Sequence, residues 1–177
     1  LLKRGAGLDI VSGGELFKAR QAGCPSNRIV FASVGKRPEE IREALRAGIF
    51  CFNVESVPEL ELINAQARRA GTIASVALRL NPDVEAHTHR HITTGIKESK
   101  FGIDLNTVEQ VILRRWREFS ALRLMGFHLH IGSQITKASP FVQAIERAGG
   151  LIERLRRRGV DVGWLNLGGG LGIVYKD

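Results

Sequence analysis

Apolar positions fall in short, nearly continuous runs along this chain: residues 8–12, 29–33, 50–54, 74–80, 124–130 and 164–167. Runs of that length without a polar alternation read as strands covered on both faces, the pattern of a parallel sheet. Between them the spacing changes to that of helices. Ser12 and Glu15 have the spacing of a capping box and open a helix to about Ala22, with Gly23 as its stop. Pro38, followed by Glu39 and Glu40, opens a second, with Ile41, Ala44 and Leu45 inward and Gly48 closing it. Ser56 and Glu59 repeat the capping-box spacing, and that helix runs to Gly71. Residues 106–119 carry Val108, Val111, Ile112 and Trp116 at helical spacing. Ser139 and Pro140 open the last helix, with Phe141, Ile145, Ile152 and Leu155 on one side, ending before Gly159.

Strict strand–helix alternation leaves two common architectures, an open doubly wound sheet or a closed barrel. The first usually carries a glycine-rich phosphate loop after its first strand. Here that position reads Ser12-Gly13-Gly14, which is not GxGxxG. The glycine-rich loop instead follows the last strand, as Gly168-Gly169-Gly170-Leu171-Gly172. Barrels place phosphate sites on the loops after their late strands. Eight units take ~250 residues, so six take roughly 190. The 177 residues here therefore predict an α/β fold: a partial (β/α)8 TIM-type barrel with about six of its eight units.

Composition narrows the picture further. A chain that is 44% hydrophobic can bury one good core. No apolar run approaches the ~18 residues of a membrane span, and no signal-like segment opens the chain. The first residue is Leu1 and the only methionine is Met125, so the expectation is a piece of a longer protein. The net charge of +8 raises nucleic acid as a partner. Its arginines are scattered over helical faces, such as Arg42, Arg46, Arg68 and Arg114, without interleaved aromatics. They read as a solvated surface, with no nucleic-acid partner and no membrane partner. Cys24 and Cys51 have neither metal-type spacing nor a disulfide framework, which fits a reducing, cytoplasmic setting.

In a parallel α/β fold the ligand site lies at the C-terminal ends of the strands. Polar residues gather there: 9–12, 33–36, 53–56, 79–83, 128–134 and 166–172. Caps and turns claim part of them. The three successive glycines remove every Cβ, so backbone N–H groups can approach an anion, phosphate above all. The alternative is a tight turn with no ligand. His128 and His130, two apart in a strand, share a face. Their spacing alone admits a metal ligand, a core or cap histidine, or a cofactor contact. His87, His89 and His91 form a second alternating set in a polar stretch after Pro82.

The order of several segments carries a resemblance. They are 8–16 (LDIVSGGEL), 53–56 (NVES), 78–83 (LRLNPD), 100–102 (KFG), 128–134 (HLHIGSQ) and 168–172 (GGGLG). Together they resemble the diaminopimelate decarboxylase family, fold-type III pyridoxal-phosphate (PLP) enzymes with an alanine-racemase-like barrel, and the resemblance spans essentially the whole chain. It implies PLP as cofactor and decarboxylation of meso-2,6-diaminopimelate, an amino-acid substrate, to L-lysine and CO2. It implies a cytoplasmic homodimer for the full-length protein. His130 is then the catalytic residue, its ring stacked on the cofactor with no metal involved, and His128 lies deeper. Ser133, Gly168, Gly169 and Gly170 hold the phosphate, with Gly170 nearest the helix start, and Asp9 and Lys100 lie near the cofactor. The resemblance also implies that residues 1–177 form a PLP-binding barrel domain incomplete at both ends. The family's Schiff-base lysine would precede Leu1. The carboxylate at the ring nitrogen and a C-terminal β domain would follow Asp177. Lys36, at a later strand mouth, does not replace that lysine. The piece alone is expected to be inactive. The competing readings are a related decarboxylase of ornithine, arginine or carboxynorspermidine, and a non-catalytic PLP-barrel homologue.

Overall fold

The structure, a computed structural model, describes residues 1–84 and 101–173. In chain order it runs β1 (Leu8–Ile10), α1 (Gly13–Gln21), β2 (Ile29–Phe31), α2 (Pro38–Ala47), β3 (Cys51–Val54), α3 (Val57–Arg69) and β4 (Ala74–Asn81). It continues with β5 (Ile103–Asp104), α4 (Leu105–Gln110), β6 (Leu122–His128), α5 (Ser139–Arg157) and β7 (Trp164–Asn166). All strand pairs are parallel, in the order β1-β2-β3-β4-β6-β7, and β5 pairs only with the end of β4. Each of the six apolar runs has become one strand of this sheet. β5 was not foreseen, because two residues make no run.

Register sorts the side chains onto two faces. Phe31, Phe52, Val54, Val76, Leu78, Leu80, Phe127 and Leu129 join one apolar core with Ile41, Ala44, Leu60, Ile63, Ala148 and Leu151 of the helices. The alternate positions Val30, Cys51, Asn53, Ala77, Arg79 and His128 face the other way. Cys51 is fully buried there, and desolvation pushes its thiol up to about 12, so it behaves as a small inert core residue.

The helix starts follow the local chemistry. Ser12 Oγ accepts from Glu15 N at 3.2 Å, and Glu15 accepts from Val11 N at 2.7 Å. Ser56 Oγ accepts from Glu59 N at 3.3 Å, and Glu59 accepts from Glu55 N at 3.0 Å. Glu40 accepts from Arg37 N at 3.0 Å and from Gly13 N at 2.8 Å, tying the starts of α1 and α2 together. Those backbone donors hold the Glu40 carboxyl below its usual range.

Two helices differ from the expectation. The helix predicted over 106–119 is α-helical only through Gln110; a π turn follows at Val111–Arg115, then a 3-10 turn at Trp116–Glu118. The change of winding leaves Arg115 facing outward to Glu61 at 3.0 Å and Glu118 at 2.9 Å, with Phe119 buried. On α5 the buried stripe is Pro140, Ala144, Ala148, Leu151 and Leu155. Ile145, expected inward, is 38% exposed. The small alanines set the helix-to-sheet distance, and the larger side chains flank them.

Candidate functional site

The site forms where β4, β6 and β7 end. Val54 pairs with Leu78, Arg79 with His128, and His128 with Asn166, so Glu55, Arg79, His128 and Asn166 stand at one level across four strands. β6 pairing stops at His128, with one more ladder bond from Leu129 N to Asn166 O at 2.7 Å. His130 therefore sits just past the strand rather than within it. Burial first, then the charge of Arg79, holds its imidazole below the usual range, so it is neutral near pH 7. His128, one alternating step below, is 4% exposed, and its Nδ1 has no hydrogen-bond partner among the described residues. Burial, then Arg79 and His130, push its pKa down to about 3.

The turn after His130 is joined to the glycine loop. Ile135 N donates to Gly170 O at 2.9 Å, and Gly172 N donates to Ile135 O at 3.0 Å. Asn166 Oδ1 accepts from Gly168 N at 2.8 Å. Gly168 and Gly170 have φ of 72° and 97°, and a Cβ at either would lie 2.0 Å from Leu129 O or 1.9 Å from Gly132 O. These two glycines are required by the backbone itself. Gly169 is different: its φ is ordinary and nothing lies within 4 Å of where its Cβ would be. Gly169 and Gly170 donate their N–H groups to no partner among the described residues, and Ser133 makes no hydrogen bond among them. A ring of unspent donors around open space suits an anion, so these residues fit the phosphate of PLP.

Thus His130, Ser133 and Gly168 to Gly170 come together at one mouth. Asp9 lies on β1, at the opposite edge of the sheet. Desolvation raises its carboxyl pKa, opposed by the charge of Lys36. Lys100 lies outside the described residues, as do His87, His89 and His91. Among the described residues, no group of three His, Cys, Asp or Glu is arranged to hold a metal ion.

Sequence reasoning passed over two charged networks. Lys36 is buried, and its Nζ donates to Ser33 O at 2.8 Å, Asn53 O at 2.7 Å and Glu59 Oε1 at 2.6 Å. Arg79 Nη1 donates to both oxygens of Glu55, at 2.9 and 2.8 Å, and its Nη2 to His130 O at 3.1 Å. The available signal was a lone charged residue, Arg79, inside the otherwise uncharged run 74–80. A cleft lined by Asn106, Gln110, Arg114 and Arg158 lies among the helices and includes none of these mouth residues.

Fold and mouth together define an arc of a parallel α/β barrel with an anion cradle at its strand ends. Over residues 1–177 the chain matches the pyridoxal-dependent decarboxylases, in their pyridoxal binding domain. It belongs to that family. It is 48% identical over 177 residues to the diaminopimelate decarboxylase of Pseudomonas aeruginosa, and 50% identical over 171 residues to that of Bacteroides thetaiotaomicron. The match covers 100% and 97% of this chain. The chain spans 42% and 44% of the length of those two relatives. Among solved structures, diaminopimelate decarboxylase from Helicobacter pylori complexed with L-lysine matches with a TM-score of 0.88 and 37% identity. The match covers 97% of this chain and 43% of that one. The enzyme from M. jannaschii, also in complex with L-lysine, matches with a TM-score of 0.87 and 41% identity, covering 99% of this chain and 41% of that one. These likenesses identify the sheet as part of a TIM-type barrel.

Proposed function

We propose that the protein carrying this chain is a PLP-dependent decarboxylase that converts meso-2,6-diaminopimelate to L-lysine and CO2. The observation that carries the cofactor assignment is the joined turn and glycine loop beside His130. The substrate choice is supported by the diaminopimelate decarboxylases at 48% and 50% identity. A lysine/ornithine decarboxylase from Vibrio vulnificus matches at 27% identity. When bound, the cofactor supplies an electron sink for the pair released as the carboxylate leaves. The chain's own residues bind and orient it. Gly169 N–H, Gly170 N–H and the Ser133 hydroxyl hold the phosphate. The neutral His130 ring would meet one face of the cofactor without adding charge there and would restrain its orientation, so that the reacting bond can stand perpendicular to the cofactor ring. In this reading Asp9 and Lys100 also contribute to cofactor binding. In this reading residues 1–177 are a cofactor-binding barrel domain, and the whole protein is a cytoplasmic homodimer that acts on a small amino acid.

The test uses the full-length protein. PLP is added, the visible absorbance band of the protein-bound cofactor is recorded, and CO2 release is measured from meso-diaminopimelate and from ornithine. The expected result is a band and turnover of diaminopimelate. No band would remove the enzyme reading and leave a non-catalytic homologue; turnover of ornithine instead would overturn the substrate.

A further inference from the structure

A buried Arg–carboxylate pair is weak evidence of stability, because well-packed apolar residues serve as well or better. What Glu55 and Arg79 do that an apolar pair could not is aim a donor. The side chains are 5% and 12% exposed, and Arg79 Nη1 is held by both carboxylate oxygens. The guanidinium is planar and rigid, so fixing one edge fixes the other. That other edge points Nη2 at His130 O, 3.1 Å away. The Phe101 ring, 5.6 Å from the guanidinium carbon, packs beside the same group.

His130 O is the place where such a donor matters. The backbone ladder ends with Leu129 N to Asn166 O, and resumes with Ile135 N to Gly170 O. Between those bonds the chain turns through Gly132 at φ 147° and Gln134 at φ 57°. A non-glycine residue at positive φ persists only where its surroundings over-determine the backbone. Among the described residues, no backbone-to-backbone hydrogen bond anchors residues 130 to 133, and Gln134 is tied through its side chain, whose Oε1 accepts from Ile173 N at 3.3 Å. Arg79 supplies an anchor from the neighbouring strand.

We propose that Arg79, oriented by Glu55, is a positioning residue that clamps the turn from His130 to Gln134 and so sets the geometry of the cofactor cradle. The inference rests on the functional reading for what the cradle holds, but the clamp itself is a property of the protein without ligand. The positive charge of Arg79 also helps keep the His130 ring neutral, in accord with the clamp.

The test is hydrogen exchange on the full-length protein without PLP, comparing wild type with Arg79→Met, Arg79→Lys and the double variant Glu55→Met/Arg79→Met. Losing a charge-assisted bond at the start of the turn should speed exchange at the hydrogen-bonded amides that bracket it, Leu129, Ile135 and Gly172, about tenfold or more. Lysine keeps a cation beside Glu55 but lacks the planar fork, so Arg79→Lys should also exchange fast. The double variant leaves no buried charge unpaired; it should melt as cooperatively as wild type while the same amides still exchange fast. It carries the test if Arg79→Met alone does not fold. PLP affinity, read by titrating the absorbance band, should fall by about tenfold in the same variants. Wild-type exchange at those amides in the folded double variant would overturn the clamp. Fast exchange in the variants of a wild-type protein that releases no CO2 would support the clamp and sink the decarboxylase reading instead.

Discussion

At the scale of single residues, the three glycines of the loop separate structure from ligand. Gly168→Ala and Gly170→Ala each place a Cβ about where a backbone oxygen lies, at 2.0 and 1.9 Å, and at positive φ. Both should destabilise the full-length protein by upwards of about 1–2 kcal/mol, seen as a lower Tm with and without cofactor. Gly169→Ala meets nothing within 4 Å. It should melt like wild type without PLP, yet bind PLP more weakly, because the methyl occupies the approach to its N–H. Unchanged affinity in Gly169→Ala would place the phosphate elsewhere. His128 gives a second residue-scale prediction. Its folded pKa is about 3 against an ordinary 6.5, so between those values the unfolded chain holds a proton that the native one does not. Full stability is present above about pH 6.5 and is lost as pH falls toward 3, by up to about 1.4 kcal/mol per pH unit. Chemical unfolding at pH 7.5 and pH 5 should show a smaller acid loss in His128→Gln than in wild type. An equal loss would assign the sensitivity to other groups.

At the scale of elements, Lys36 joins three pieces: the segment after β2 through Ser33 O, β3 through Asn53 O, and α3 through Glu59. Lys36→Met leaves Glu59 with no cation at a side chain that is 9% exposed. Removing one partner of such a pair costs about 3–5 kcal/mol. Lys36→Met/Glu59→Leu should regain most of that loss in a denaturant melt, and failure to recover would show that the two carbonyl contacts dominate. Burial already raises the Glu59 pKa, with Lys36 opposing it. Without Lys36 the carboxyl rises further, and protonating it relieves the strain. The deficit of Lys36→Met should therefore be largest at neutral pH and shrink on acidification. How legible these elements were in the sequence depends on distance along the chain. Six strands could be read because each is a local apolar run. The start of α1 could be read because Ser12 and Glu15 lie within one turn, and the glycine loop because its glycines are consecutive. The Arg79–Glu55 pair could not, because it exists only through the register that sets Val54 against Leu78. The buried stripe of α5 was read only in part for a related reason: Leu155 lies in it as expected, but side-chain size says nothing of which face meets the sheet, and Ala144 and Ala148 were passed over for Ile145. β5 is too short to leave any pattern.

At the scale of the whole molecule, the sheet has two ends. Among the described residues, β1 pairs only with β2, and β7 only with β6. An unpaired parallel edge presents a row of donors and acceptors to any other chain. Apolar side chains cluster near both ends: Val11 is 54% exposed beyond β1, and Leu171 and Ile173 are 79% and 63% exposed beyond β7. A closed barrel has no edges, and in the proposed full-length enzyme the remaining strands would cover these. Residues 1–177 produced alone should therefore self-associate, whereas the full-length protein should give a single discrete species. Light scattering coupled to size exclusion reads this directly: the isolated segment is expected as a broad, concentration-dependent distribution above its 19.5 kDa mass. Lysine at exposed positions beside both edges, as Val11→Lys and Leu167→Lys, opposes edge pairing by charge and should narrow that distribution. A sharp monomer peak from the unmodified segment would mean that the arc buries its own edges, and that closure of the barrel is not what keeps this sheet from its neighbours.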